Sequence, residues 1–554
     1  MQHSANDKKA NWWKSGVIYQ IYPRSFLDTN GDGIGDLEGV IQKMNYLNDG
    51  TDQSLGIDAI WLNPIYPSPM ADFGYDVSDY CNIHPEFGNL EVFDRLVAEA
   101  HRHNIRVILD FVPNHTSDLH PWFTASRSSR ENQKRDWYIW RDAKPDGSLP
   151  NNWGSAFGGP AWEWDEATAQ YYLHSFLKEQ PDLNWRNPEV KKAMLDVLRF
   201  WLDRGVDGFR MDVVGMLLKD AKLRDNPLME DSVDHTGPTN LYYRQLHIHD
   251  QDLDEVHEII RAFRGLLDEY PERCGIGEIW YELPRWVKYY GAKGDELHLP
   301  FNFRLMNLPW NAQAIRKSVD EMEQALPEFA WPNYVLNSHD NQRLVSKIGD
   351  GQARVAAMLL LTLRGTPTLY YGEELGMENG VIDPGQMQDP QGLRLGAAYS
   401  RDYSRTPMQW TDKKYSGFSV VEPWLPLALG YQKKNVQVEN SDQTSMLHLY
   451  RKLIHLRKQR TVLQKGSYTP VSVEPLDCFV FERSHGIERF IIALNFSGKP
   501  QKLNVPGFSK GKILLSTYLD KTETAMTNDF ELREDEGVII EVEKTLHNVG
   551  MSNG

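Results

Sequence analysis

Short apolar strands alternate with amphipathic helices along most of this chain, and that alternation restricts the possible folds more than any other feature. "GVIYQIYPRSF" (16–26) reads as a strand with its exit loop, and "DAIWLNPIY" (58–66) as a buried strand closed by Pro64. "NLEVFDRLVAEAHRHN" (89–104) then places Val92, Phe93, Leu96, Val97 and Ala100 on one helical face, and "IRVILDFV" (105–112) is the next strand. In "PEVKKAMLDVLRFWLDRG" (188–205), Pro188 opens a helix and Gly205 ends it, with Val190, Ala193, Met194, Val197, Leu198, Trp201 and Leu202 as its apolar stripe. "VDGFRMDVV", "GIGEIW", "NYVLNSHD" and "TPTLYYGEELG" follow as further strands. So many strand–helix units, over roughly 450 residues, predict an α/β fold with a closed (β/α)8 TIM barrel rather than an open sheet.

Two regions break the rhythm. Residues 116–173 are rich in Trp, Pro, Asn, Asp and Gly, which predicts a subdomain inserted after strand 3. From 473 onwards, "CFVFERS", "RFIIALNFS" and "GVIIEVEK" predict a C-terminal antiparallel β-sandwich. The expected division is thus barrel over 1–115 and 174–472, insert over 116–173 and sandwich over 473–554.

The net charge of −17 argues against nucleic acid and anionic membrane surfaces as partners. No stretch nears 18 uninterrupted apolar residues, and the N-terminus has no apolar leader run. Three widely spaced cysteines, Cys81, Cys274 and Cys478, suggest neither a disulfide framework nor a zinc cluster. A cytoplasmic protein, monomer or homodimer, is expected.

A barrel places its active site at the C-terminal ends of its strands, so ionisable residues should recur there. Strand three ends in Asp110 and continues to His115; strand four carries Arg210 and Asp212; strand five ends in Glu278, and strand seven in His339 and Asp340. Converging carboxylates with histidines and an arginine suit glycosidic bond cleavage, which needs a carboxylate at the anomeric carbon and a carboxylic acid at the leaving oxygen. Arg210 and Asp212, two apart, point to one face, so Arg210 should keep Asp212 ionised. Glu278, between Gly277 and Ile279 with Trp280 nearby, has an apolar setting that favours its protonated form. Taken singly, each has a plainer reading, as an ion pair, a solvated acid or a core histidine; together at matching strand ends they do not.

"DTNGDGIGD" (28–36) puts oxygen-bearing Asp28, Asn30, Asp32 and Asp36 in one glycine-rich loop, which suits a hard cation. The twelfth position from Asp28 is Gly39 rather than a bidentate Glu, so a polar Asn/Gly turn is the other reading.

"DFVPNHTS" (110–117), "GFRMDVV" (208–214), "GEIW" (277–280) and "NSHDNQR" (337–343) resemble, in order and spacing, the four principal sequence regions of the α-amylase superfamily of retaining glycoside hydrolases. With "QPDLNW" and "RTPMQW", the chain is similar to its α-glucosidase and oligo-1,6-glucosidase branch over nearly its whole length. The resemblance implies Asp212 as nucleophile, Glu278 as general acid/base and Asp340 as the third carboxylate. His115, Arg210 and His339 would bind the same sugar ring. It further implies that Asp72 and Tyr75 grip the non-reducing-end glucose, Arg405 pairs with Asp72, and Phe176 and Gln180 line the pocket. One structural Ca²⁺ or Mg²⁺ would be held by Asp28, Asn30, Asp32, Asp36 and the Ile34 carbonyl, with no cofactor for catalysis.

The implied activity is an exo-acting retaining α-glucosidase on short sugars such as maltose and isomaltose-type oligosaccharides, with trehalose or sucrose further candidates, and with transglucosylation. Oligo-1,6-glucosidase proper, or a glucosyl transferase or isomerase of the same fold, are the alternatives. Val213 after the nucleophile accompanies α-1,6 acceptance in this family, whereas "VGMLLKD" departs from the usual oligo-1,6-glucosidase continuation, and the arginine-rich loop of isomaltulose-forming relatives is not found. Non-catalytic members lack the carboxylates that stand here.

Overall fold

The computed structural model of the protein describes residues 11–229 and 241–543. Residues 1–10 and 544–554, the outer ends of the first and last expected domains, lie outside these, as do 230–240 of the barrel's second part.

The first three barrel strands are β1 (Ile18–Ile21), β2 (Ala59–Leu62) and β3 (Arg106–Phe111). After β3 comes a small sheet of β4 (Trp140–Arg141), β5 (Trp162–Asp165) and β6 (Gln170–Leu173), antiparallel in the order β4-β6-β5. The barrel resumes with β7 (Gly208–Met211), β8 (Cys274–Gly277), β9 (Leu299–Pro300), β10 (Asn333–Val335) and β11 (Thr366–Tyr370). These eight strands form one parallel sheet, β10-β11-β1-β2-β3-β7-β8-β9, nearly closed on itself. The seam lies between β9 and β10. The β9 strand, which the sequence reading passed over, is only two residues long, and its Pro300 brings no N–H to a ladder.

The helices form where the apolar stripes predict them. Leu90–Arg102 is capped by the Asn89 side chain and buries Phe93, Leu96, Val97 and Ala100. Pro188–Asp203 is capped by Asn187 and buries Val190, Met194, Val197, Leu198, Trp201 and Leu202. Each large apolar side chain of these stripes contributes about 1.5–3 kcal/mol on leaving water. The Trp201 indole is also satisfied, donating to the Tyr80 carbonyl at 2.8 Å.

Beyond the barrel lie β12 (Ser467–Val471), β13 (Cys478–His485), β14 (Glu488–Asn495), β15 (Gln501–Asn504), β16 (Lys510–Ser516), β17 (Thr524–Thr527), β18 (Asp529–Leu532) and β19 (Gly537–Val542). Six make an antiparallel sheet, β12-β13-β14-β19-β16-β17, and β15 pairs with β18. Between them lie Val480, Ile491, Leu503, Leu532 and Ile540, all buried. Among the described residues no helix is long and apolar enough to cross a membrane, and the three cysteines are free.

Candidate active site

At the C-terminal ends of the barrel strands a cavity of about 540 Å³ is lined by Asp72, Tyr75, His115, Phe176, Asp212, Glu278, His339 and Asp340, among others. The parallel register puts Asp110 of β3 opposite Arg210 of β7, and Asp212 and Glu278 follow directly on β7 and β8. Arg210, 2% exposed, is the hub. Its Nη1 donates to Asp110 Oδ1 at 2.8 Å and to Asp212 Oδ1 at 2.6 Å, while Nη2 donates to Glu278 Oε2 at 2.6 Å. Three carboxylates around one guanidinium leave the cluster negative when all are ionised. Burial therefore pushes Asp110 up to about 6. Burial also drives Asp212 well above the usual range, with Arg210 opposing and Glu278 and Asp110 reinforcing the rise. The expectation that Arg210 simply keeps Asp212 ionised is thus corrected: one guanidinium shared three ways does not offset desolvation plus two like charges.

Glu278 stands in a polar setting that its sequence neighbours did not reveal. It meets three donors: Oε1 accepts from Trp280 Nε1 at 2.7 Å, and Oε2 from Arg210 and, at 3.2 Å, from the Val213 N–H. Val213 aims that N–H from a left-handed backbone, φ 37°, unusual for a β-branched residue and typical of strain held at a functional site.

One wall is a polar network around Tyr75. Its hydroxyl contacts Asp110 Oδ2 at 2.9 Å, His339 Nε2 at 2.8 Å and Asn63 Nδ2 at 2.9 Å, and its ring lies parallel to that of His339. Gln20 Nε2 donates to His339 Nδ1 at 2.8 Å, which leaves Nε2 as the protonated nitrogen of a neutral ring. Burial holds His339 well below its ordinary value and brings His115 down to about 4, so both are neutral at physiological pH. His115 Nε2 is 3.1 Å from the Gln180 amide, which donates on to Asp72 Oδ2 at 3.1 Å, and Phe176 packs on the His115 ring.

The far end of the cavity holds a correction. Arg401, not Arg405, pairs with Asp72: its Nη2 donates to Asp72 Oδ1 at 2.7 Å and to Asp389 Oδ1 at 2.6 Å. Arg405 donates instead to Asp340 Oδ1 at 2.9 Å and to the His339 carbonyl at 2.9 Å. The two arginines stand four apart in "SRDYSRT", in a loop without periodicity, so spacing could not assign their partners. Against burial, His339 and both arginines hold Asp340 below the usual carboxylate range; since His339 is neutral, the guanidiniums do so at pH 7. Arg401, Asp389, Asn63 and Gln20 are the residues that the sequence reading missed.

The loop 28–36 lies away from this cavity and folds on its own polar groups. Asp28 accepts from the N–H of Gly31 at 2.7 Å and of Gly33 at 2.9 Å, and from Ser419 Oγ at 2.6 Å. Asn30 Oδ1 accepts from the Asp32 N–H and Asp32 Oδ1 from the Ile34 N–H. Asp36 accepts from Thr29 and caps the helix Leu37–Gln42 through the Gly39 N–H at 2.7 Å. Among the described residues no three of His, Cys, Asp and Glu stand as a metal cluster. The donors are all oxygen, the set a hard cation takes, and a carboxylate oxygen that accepts one N–H keeps a further lone pair.

Residues 20–466 match the α-amylase catalytic domain family. The chain is 43% identical to a probable alpha-glucosidase of Rhizobium meliloti (strain 1021), over 90% of this chain and 91% of that one. It is 37% identical to an oligo-1,6-glucosidase of Parageobacillus thermoglucosidasius, over 96% of this chain and 99% of that one. The crystal structure of an alpha-glucosyl transfer enzyme superposes with a TM-score of 0.89 at 40% identity, covering 96% of this chain and 99% of its own.

Proposed function

The chain belongs to the α-amylase family of glycoside hydrolases, and we propose that it acts there as an exo-acting, retaining α-glucosidase on short sugars. The observation that carries this reading is the binding of Asp212 and Glu278 to the two terminal nitrogens of one Arg210 fork. Two carboxylates on one guanidinium is the arrangement expected of a retaining pair, whose carboxyl groups stand about 5–5.5 Å apart, rather than of an inverting pair about 6.5–9.5 Å apart with a water between them. Asp212 then attacks the anomeric carbon as Glu278 protonates the leaving oxygen, giving a β-glucosyl-enzyme; Glu278 next takes a proton from the incoming water. The positive charge developing at the anomeric carbon favours the anion of Asp212. Asp340, held ionised by Arg401 and Arg405, and the neutral His115 and His339 bind the sugar hydroxyls.

Exo action is supported by the far wall, where the buried Asp72–Arg401–Asp389 chain blocks extension past the first glucose. The same glucosyl-enzyme can pass glucose to a sugar. Linkage acceptance, including α-1,6 bonds, rests on Val213. Loop 28–36 would hold one structural Ca²⁺ or Mg²⁺ through Asp28, Asn30, Asp32, Asp36 and the Ile34 carbonyl; the ion would contribute rigidity away from the reaction. Free cysteines favour a cytoplasmic setting.

The test is proton NMR of wild type and Asp212→Asn on maltose, isomaltose, trehalose and sucrose. Initial release of α-glucose by the wild type alone is expected, and the substrate ranking reads the linkage preference. Initial β-glucose, or equal activity in both proteins, overturns the mechanism.

A further inference from the structure

Trp280 follows Glu278 by two residues in the loop after β8. The Trp280 ring stacks on Phe303 at 4.0 Å and 7°, and Phe303 stacks in turn on fully buried Phe301 at 5.3 Å. The indole is thus fixed from one face while 47% of the residue stays exposed and lines the cavity. A stacked ring has little freedom to turn, so its Nε1–H stays aimed at Glu278 Oε1, 2.7 Å away.

Trp280, Arg210 and Val213 each donate a hydrogen bond to Glu278, and the Asp212 carboxyl also faces it within hydrogen-bond reach. Donors stabilise the carboxylate, the form that accepts a proton from water in the second step and cannot give one in the first. Arg210 and Val213 both sit on Oε2, which leaves Oε1 to Trp280. Resting on the acid/base role given to Glu278 above, we propose that Trp280 is a positioning residue that sets the protonation balance of the acid/base through Oε1, favouring release of glucose from the enzyme over attack on the bond.

The test compares Trp280→Phe, which keeps the stack and removes the donor, with wild type by the pH dependence of kcat/KM, which reports the free enzyme. Two substrates are used: maltose, whose leaving sugar needs a proton, and α-glucosyl fluoride, whose leaving fluoride does not. The alkaline limb for maltose is expected to move up by about one pH unit, the scale of a lost charge-assisted hydrogen bond, with the fluoride profile unmoved. An unmoved maltose limb in a folded variant, or an equal move with both substrates, overturns the proposal. Circular dichroism reads folding; if Trp280→Phe is unfolded, Phe303→Leu, which frees the indole, carries the same test with the same expected direction. Glu278→Gln separates the two readings: surviving maltose hydrolysis in that variant removes the acid/base assignment itself, whatever Trp280 does.

Discussion

At the residue scale, two buried arginines stand at the far end of the cavity. Both reach Asp340, Arg401 at 3.4 Å and Arg405 at 2.9 Å, but only Arg401 also closes the far wall, so its removal should carry a further effect. Arg401→Ala leaves Asp72 and Asp389 without their cation, and kcat/KM for maltose should fall by roughly 10²–10³, the value of about two charged hydrogen bonds. The opened wall should also let longer chains compete with maltose, read by product analysis on maltohexaose. Equal loss on short and long substrates would contradict the wall. Asp110 shares Arg210 with Asp212 and adds to the rise of Asp212. Asp110→Asn removes a like charge and leaves more of Arg210 to Asp212, so the acid limb of kcat/KM should move down by about one pH unit. A limb that moves up would show that Asp110 acts on the nucleophile otherwise than by charge.

At the element scale, what was legible in the sequence was what repeats. The stripe of Pro188–Asp203 and the apolar run of β3 are set by neighbours a few positions away, and both form where the pattern puts them. The β9 strand escaped notice because two residues, one of them proline, carry no period. Loop 28–36 is an intermediate case: its composition reads as cation or turn, and its own hydrogen bonds fold it. If it holds Ca²⁺ or Mg²⁺, chelation by EDTA should lower the Tm and readdition of either ion restore it, with kcat on maltose at 25 °C little changed. A Tm indifferent to EDTA would leave the loop a polar turn.

At the scale of the whole molecule, the acidic balance of the chain reaches its interior. Beneath the end of β11, Glu373, Glu374 and Glu439 are buried among tyrosines, with Tyr450 donating to Glu373 at 2.9 Å and the Leu447 N–H to Glu439 at 3.0 Å. Burial lifts Glu373 to about 7 and Glu439 to about 8. A carboxyl raised in the folded state keeps its proton while the unfolded chain loses it. Its contribution is therefore full below an ordinary value of 4.5 and is lost as pH rises through about 8. Thermal unfolding should show Tm declining across that window, and Glu439→Gln should raise Tm relative to wild type at pH 8 more than at pH 5. The reverse order would mean that Glu439 is ionised in the fold.

The sequence by itself determined the barrel, the insert's position after strand three, the terminal sheet and the set of groups gathered at the strand ends, because apolar period and strand-end placement are local properties. It did not determine which charges meet. The Asp72–Arg401 pair joins residues 329 positions apart, and the sharing of Arg210 by Asp110, Asp212 and Glu278 joins three different strands. Such contacts exist only once the barrel curves round, and Coulomb energy and desolvation depend on those distances and on the exclusion of water rather than on order along the chain. Closure of the barrel is therefore what decided the partner of each arginine, the rise of Asp212 and the donors on Glu278.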